Sequence, residues 1–184
     1  MKSLIFFIYL ILPVVCFSQV KSPEIQIEES IRVLPDSMRA KATVIGYNLE
    51  GDRVVLRNGA NDMIVWADNP SPNDPRGAYF VVAFPKSLEI YMNRLRELVV
   101  GGMSNEEAYT KVANEIKDGI IKMPSVAVRY TLRGHSAEGA LSLTIIHIPF
   151  CTQESTGFST KIDNYRPWLM WGGTAHAHIM VPGH

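Results

Sequence analysis

Two amphipathic helical patterns, side by side between blocks of strand-like sequence, are the feature that most constrains the fold of this chain. Across residues 88–99, apolar side chains recur at steps of three and four, which places them on one face of a helix. Gly101 and Gly102 end this pattern. Ser104 and Glu107 begin the next one with the sequence of a capping box. The sequence therefore predicts a helical hairpin with two apolar stripes to bury.

Three short strand patterns precede this hairpin. They cover residues 43–47, 53–57 and 63–67, and each is rich in β-branched or aromatic side chains. Asn58 and Gly59 separate the second from the third and are the commonest two-residue hairpin signal. The three segments are therefore predicted to form an antiparallel meander.

The clearest strand pattern follows the hairpin, at residues 126–133. Its apolar residues alternate with Arg129 and Arg133, and a shift of one residue would bury both arginines, so we expect the arginines on the exposed face. Further strands are predicted at 140–150 and 175–181. Strand blocks on both sides of a helix pair predict a single α+β domain, with a largely antiparallel sheet and the helical hairpin packed on one face.

The N-terminus has the layout of a secretory signal peptide. One lysine precedes an unbroken apolar run, Leu4 to Val15, which is too short for a permanent transmembrane helix. We expect residues 1–19 to be removed and residues 20–184 to form one domain that is periplasmic or extracellular. A lipid anchor on Cys16 is disfavoured, because lipoprotein signals usually carry a small residue where this chain has a bulky valine.

Charge and cysteine content exclude several classes of partner. Lys and Arg together number 18, as do Asp and Glu, so the formal net charge is 0. This balance predicts no electrostatic binding to nucleic acid or to an anionic membrane. No other segment predicts a membrane span. Once Cys16 is removed, Cys151 has no partner in the chain, so we expect no internal disulfide and a buried Cys151.

The candidate site lies in residues 147–181, which hold three of the five histidines. His176 and His178 form an H-x-H, and on a strand both imidazoles would point to one face. With His147 as a third ligand, the three could bind zinc. A pattern this short more often reflects one buried, hydrogen-bonded histidine and one exposed histidine.

Aromatic and polar groups lie beside these histidines. Trp168 and Trp171 predict either an aromatic wall for a small ligand or part of the core. Arg166 is the candidate partner for an anionic group on such a ligand. Ser155 lies in a turn-forming segment without the G-x-S-x-G pattern of a nucleophile, and we place it among the candidate ligand-binding residues.

The C-terminal segment resembles an uncharacterised group of exported bacterial proteins. The shared words are E-S-T-G at 154–157, P-W-L-M at 167–170 and A-H-I-M at 177–180, and the resemblance covers most of the chain after the signal peptide. It implies family and export but no particular activity. This chain lacks the cysteines that the group has near residues 64–84. His176 falls where the shared pattern is free, so the resemblance directs attention to His178 acting with Glu154.

The sequence leaves three functional hypotheses open. The first is an exported, non-catalytic domain that binds a small or peptide-like ligand in a cleft walled by the two tryptophans and Glu154, with His178 at its base. The second is a hydrolase-like enzyme in which His178 acts as a base or metal ligand, Glu154 as the acid or orienting group, and His147 or His176 as a further ligand. The third is a structural or interaction domain. The sequence predicts neither a substrate nor an oligomeric state.

Overall fold

The computed structural model describes residues 20–71, 74, 76 and 78–183, so the predicted signal peptide lies outside the described residues. The described residues form one eight-stranded sheet and five α-helices, and none of these helices is long and apolar enough for a bilayer crossing. The strands are β1 (Thr43–Tyr47), β2 (Arg53–Arg57), β3 (Met63–Trp66), β4 (Tyr79–Pro85), β5 (Ala127–Gly134), β6 (Leu141–His147), β7 (Trp168–Met170) and β8 (His178–Pro182). The helices are α1 (Pro23–Ile31), α2 (Asp36–Arg39), α3 (Glu89–Val100), α4 (Asn105–Lys117) and α5 (Gln153–Thr156).

The sheet is antiparallel at every neighbouring pair except one. Its strand order is β2-β1-β3-β4-β5-β6-β8-β7, and only β1 and β3 run parallel. The α3–α4 hairpin follows β4 in the chain and leads to β5, which pairs with β4. The predicted α+β domain with a largely antiparallel sheet is confirmed.

The predicted meander is wrong, because β3 does not pair with β2. It crosses to the other side of β1 and pairs with that strand in parallel. Gly59 permits this crossing through close approach rather than through a hairpin turn. A Cβ atom there would lie 2.3 Å from the backbone nitrogen of Thr43 and 2.4 Å from the carbonyl oxygen of Lys41. The hairpin predicted from Asn58 and Gly59 is therefore wrong, and the glycine is needed here for close packing against the backbone.

The sheet carries an apolar core on each of its two faces. The core against the α3–α4 hairpin takes from the strands Ile64, Trp66, Val82, Phe84 and Ala127. The core on the opposite face, which Ile27 and Ile31 of α1 contact, takes from the strands Val44, Met63, Val65, Tyr79, Val81, Ala83 and Leu132. Successive residues of a strand point to opposite faces. Because β3 and β4 are covered on both faces, their sequences consist of apolar residues throughout.

The helical hairpin forms as predicted, with defined ends. Gly102, with φ +94°, follows the C-terminus of α3, and the capping box of Ser104 and Glu107 begins α4. The guanidinium of Arg94 donates to both carboxylate oxygens of Glu115, at 2.7 to 3.2 Å, and so ties the two helices together.

The expectation that both arginines of β5 face solvent is wrong for Arg129. Arg133 is exposed, but Arg129 is half-buried, and its Nη1 lies 3.6 Å from the Met92 sulfur on α3. The strand alternates as predicted, but α3 covers the face that carries Arg129. Alternation alone does not distinguish a solvent-facing side from one that faces a second layer.

The close approach at Gly59 gives a stability prediction. We expect Gly59→Ala to lower the free energy of unfolding by about 1–3 kcal/mol, because the backbone of β1 must move away from the new methyl group. Gly139→Ala is the matched control, since its Cβ would meet only the Ser136 hydroxyl, at 3.9 Å. Urea denaturation of both variants measures the difference, and equal stability of the two would contradict this role for Gly59.

Candidate functional site

A cavity of about 810 Å³ lies between the α3–α4 hairpin and the sheet, and we call it the hairpin cavity. The hairpin contributes to its wall Met92, Leu95, Val99, Ala108 and Tyr109. Most of these side chains belong to the apolar stripes of the two helices. The apolar faces of the two helices therefore pack partly against the sheet, and the rest of their surface lines the hairpin cavity.

Cross-strand register determines which strand residues reach the hairpin cavity. The cavity-lining pairs between β5 and β6 are Arg129 with Ile145, Thr131 with Leu143, and Arg133 with Leu141. Directly paired residues share a face of the sheet. Strand β8 continues the same face by pairing Pro182 with Leu143, so the C-terminal segment also borders the cavity.

Two tryptophans form aromatic parts of the wall. Trp66 on β3 and Trp168 on β7 both line the cavity, and Trp66 meets Phe84 edge-on with 4.9 Å between ring centroids. The indole Nε1 of Trp168 is buried and has no hydrogen-bond partner among the described residues. The sequence prediction named Trp168 as a ligand-binding residue, and the structure places it in a cavity wall.

The described residues that line the cavity carry more positive than negative charge. The guanidinium groups belong to Arg76, Arg96, Arg129 and Arg133, and the one carboxylate among these lining residues is that of Asp74. Asp74 is paired with Arg76, whose Nε lies 2.9 and 3.1 Å from its two oxygens. Three arginines of the wall therefore have no carboxylate partner from the described lining.

A fifth arginine adds to this positive field from β2. The guanidinium of Arg53 lies 4.1 Å above the ring of Trp66, a cation–π contact. Its Nη2 is buried without a hydrogen-bond partner in the described part of the chain. Burial, and next the positive charge of Arg96, lower the pKa of Arg53 to about 10.

The predicted histidines lie together at one end of the helix-covered face. His176 makes two structural hydrogen bonds: its Nε2 donates to the carbonyl oxygen of Tyr109 at 2.8 Å, and its Nδ1 accepts from the Tyr91 hydroxyl at 3.1 Å. The Tyr109 carbonyl can only accept, so the Nε2 of His176 carries a proton. Burial lowers the pKa of His176 and favours the neutral ring, although the bond to Tyr109 opposes this shift.

The other two histidines are also held neutral. His178 donates from Nδ1 to the carbonyl oxygen of His176 at 2.7 Å, and burial lowers its pKa to about 4. His147, directly opposite on β6, has both ring nitrogens buried without a partner among the described residues. Burial, and then the charge of Arg129, lower the pKa of His147 to about 2.

The favoured expectation of one buried and one exposed histidine is wrong, because His176 and His178 are both buried. The alternative of a zinc site gains no support from the described residues. The described residues contain no group of three His, Cys, Asp or Glu side chains that could hold one metal ion. Both ring nitrogens of His176 are engaged by Tyr91 and Tyr109. The H-x-H of His176 and His178 instead packs against Tyr109 and Trp171, with ring centroids 5.2 to 5.8 Å apart.

The structure does not bring Glu154 to His178. Glu154 is exposed on the short helix α5, whereas His178 is buried, and no hydrogen bond or ion pair joins them. Ser155 is used locally, because its Oγ accepts from the backbone of Thr152 in a capping box. Its predicted contact with a ligand remains untested.

The remaining predicted residues lie outside the hairpin cavity. Arg166 is exposed and paired with Asp163 at 2.8 Å. Trp171 adopts φ +54°, which is rare for a bulky residue, and its ring contacts Tyr109 rather than Trp168. Cys151 is free and half-buried beside a small apolar cluster, which partly meets the expectation of burial.

Sequence reasoning missed most of the cavity lining. Arg129 was assigned to solvent, and Arg76, Arg96 and Trp66 were not singled out. The available signal was a charged side chain inside a strand that is flanked on both sides by apolar elements. That signal becomes informative only when the element covering the charged face is known.

Comparisons with protein-family models, with curated proteins and with solved structures found no match to this chain. The resemblance to an exported bacterial group therefore remains a prediction from the C-terminal sequence words.

The buried histidines give a pH prediction. The folded pKa of His147 is about 2, against about 6.5 when unfolded, so below pH 6.5 the unfolded chain binds the extra proton. The free energy of unfolding should therefore decrease as the pH is lowered, by roughly 3 kcal/mol from this residue alone between pH 7 and pH 4.

Thermal unfolding of His147→Leu should show a shallower pH dependence than that of the wild type. His135→Leu, at an exposed position, is the control, and parallel pH profiles for the wild type and His147→Leu would contradict the assignment.

Proposed function

We propose that this protein is a ligand-binding domain that holds a small, largely apolar molecule in the hairpin cavity. The cavity itself is the observation that supports this most directly. Its volume of about 810 Å³ falls within the range of roughly 300–1,000 Å³ typical of small-molecule sites. Apolar walls with a few polar groups are also typical of such sites.

Both layers of the fold contribute to this proposed site. The helices supply aliphatic side chains such as Leu95 and Val99, and the sheet supplies Leu143, Trp66 and Trp168. Water in contact with these walls is unfavourable, and a ligand of matching shape would release it. The proposal keeps the predicted ligand-binding role of Trp168 and moves the rest of the site from the C-terminal segment to the hairpin and the central strands.

The proposed setting is outside the cytoplasm. The apolar run at Leu4–Val15 supports export to the periplasm or the cell exterior. The hydrolase-like alternative remains a prediction, but the described contacts do not favour it, because Glu154 and His178 are not joined. A peptide-like ligand would have to enter the same cavity, so the experiment below also bears on it.

A cavity-filling substitution tests the proposal. Val99→Trp places a large side chain in the cavity wall, whereas Ile90→Trp places it at an exposed position on the same helix. We expect the neutral fluorescent probe N-phenyl-1-naphthylamine to bind the wild type and Ile90→Trp alike. Its affinity for Val99→Trp should fall by about tenfold or more, that is by about 1.4 kcal/mol.

Fluorescence titration with far-ultraviolet circular dichroism as the folding control measures this difference. Absence of saturable binding to the wild type would overturn the proposal. Equal binding by the folded Val99→Trp and Ile90→Trp variants would place the probe elsewhere and would also overturn it.

A further inference from the structure

Arg129 has contacts unlike those of a structural arginine. Arg94, for comparison, donates to both carboxylate oxygens of Glu115. The Nε of Arg129 is buried with no acceptor among the described residues, and its Nη1 is 3.6 Å from the thioether sulfur of Met92, a weak acceptor. Arg129 thus lies in a cavity wall as a half-buried cation without a carboxylate.

The neighbours of Arg129 do not compensate this charge. Ile145 is its direct cross-strand partner. His147 and His178 lie within electrostatic range and are held neutral by burial. A buried charge without a counterion is unfavourable. A carboxylate or sulfonate in the cavity would supply two parallel hydrogen bonds to the guanidinium.

From these contacts we propose that the hairpin cavity takes an amphipathic anion, an apolar molecule with one acidic head group, and that Arg129 holds the head group. This inference rests on the proposed function, because it names the class of ligand that the same cavity binds. The aliphatic and aromatic wall described above would bury the apolar body.

Among the described arginines of the cavity wall, Arg129 is the one with a buried guanidinium nitrogen that has no acceptor. Arg133 lies four residues beyond Arg129 on β5, roughly 13 Å away at about 3.3 Å per residue. Arg96 is on α3, on the opposite side of the cavity from the sheet. We therefore assign the head group to Arg129, and Arg96 and Arg133 contribute to the positive potential that draws an anion into the cavity.

Two fluorescent probes with the same aromatic skeleton test this inference. 1-Anilinonaphthalene-8-sulfonate carries one sulfonate, and N-phenyl-1-naphthylamine carries none. We expect the wild type to bind the sulfonate probe about tenfold or more tightly, as for a charge-assisted pair in a half-buried site. In competition, dodecanoate should displace the bound probe at a lower concentration than dodecan-1-ol does.

Substitution of Arg129 then assigns the head group. In Arg129→Gln the affinities for the two probes should converge, while Lys122→Gln, which removes an exposed positive charge elsewhere, should keep the wild-type ratio. If Arg129→Gln does not fold, Arg129→Lys serves the same purpose. It keeps the charge but loses the paired donors, and the ratio should fall about threefold or more.

The possible outcomes distinguish failure of the anion inference from failure of the proposed function. Equal affinity of the wild type for both probes would overturn the anion inference and leave the proposed function standing. A wild-type preference that persists in folded Arg129→Gln or Arg129→Lys would overturn the role of Arg129. Failure of the wild type to bind either probe would overturn the proposed function itself.

Discussion

Side chains on a β-strand alternate between two faces, and in this protein helices cover both faces of the central strands. Residues in register from β3 to β8 therefore share the face toward the helical hairpin. Their neighbours in sequence point to the other face, where those of β3 and β4 pack in the core that α1 contacts and those of β6 and β8 pack in a separate small cluster. A shift of one residue in β5 would exchange the side chain of Arg129 for a neutral one and remove the charge from the cavity. The composition of the cavity is in this way a consequence of strand register.

Electrostatics divides the helix-covered face into two parts. At the histidine end, burial keeps His147, His176 and His178 neutral, and their rings pack with Tyr91, Tyr109 and Trp171. Among the described residues that line the hairpin cavity, guanidinium groups outnumber carboxylates. The charge of Arg129 acts on His147 and His178, but its side chain lines the hairpin cavity. The described arginines of the lining therefore give the cavity its positive charge, whereas the neutral histidines lie outside the lining.

The C-terminal segment closes this face through backbone contacts. The loop after β6 and the loop before β8 are joined by hydrogen bonds from Phe150 to Thr174 and from Gly173 to Cys151, each of 2.7 Å. Phe150 and Trp171 take positive φ within these loops, which costs of order 1–3 kcal/mol each. From this position the ring of Trp171 meets His176 and His178 edge-on, with 5.8 and 5.3 Å between ring centroids.

Local sequence determined the elements that depend on short-range physics. The capping box at Ser104, the glycine stop after α3 and the alternation in β5 each follow from a few neighbouring residues, and all were predicted. The α+β class follows because such elements must bury their apolar faces against each other.

Tertiary structure alone decided the pairing of β3 with β1, the cover over Arg129 and the fate of the histidines. Each depends on residues far apart in the chain. Gly59 lies against the backbone of β1, and Arg129 lies beside Met92 of α3. His176 is hydrogen-bonded to Tyr91 and Tyr109. A sequence pattern shows which side chains share a face. Only the packed fold shows whether that face meets water, a core or a cavity, because the covering element comes from another part of the chain.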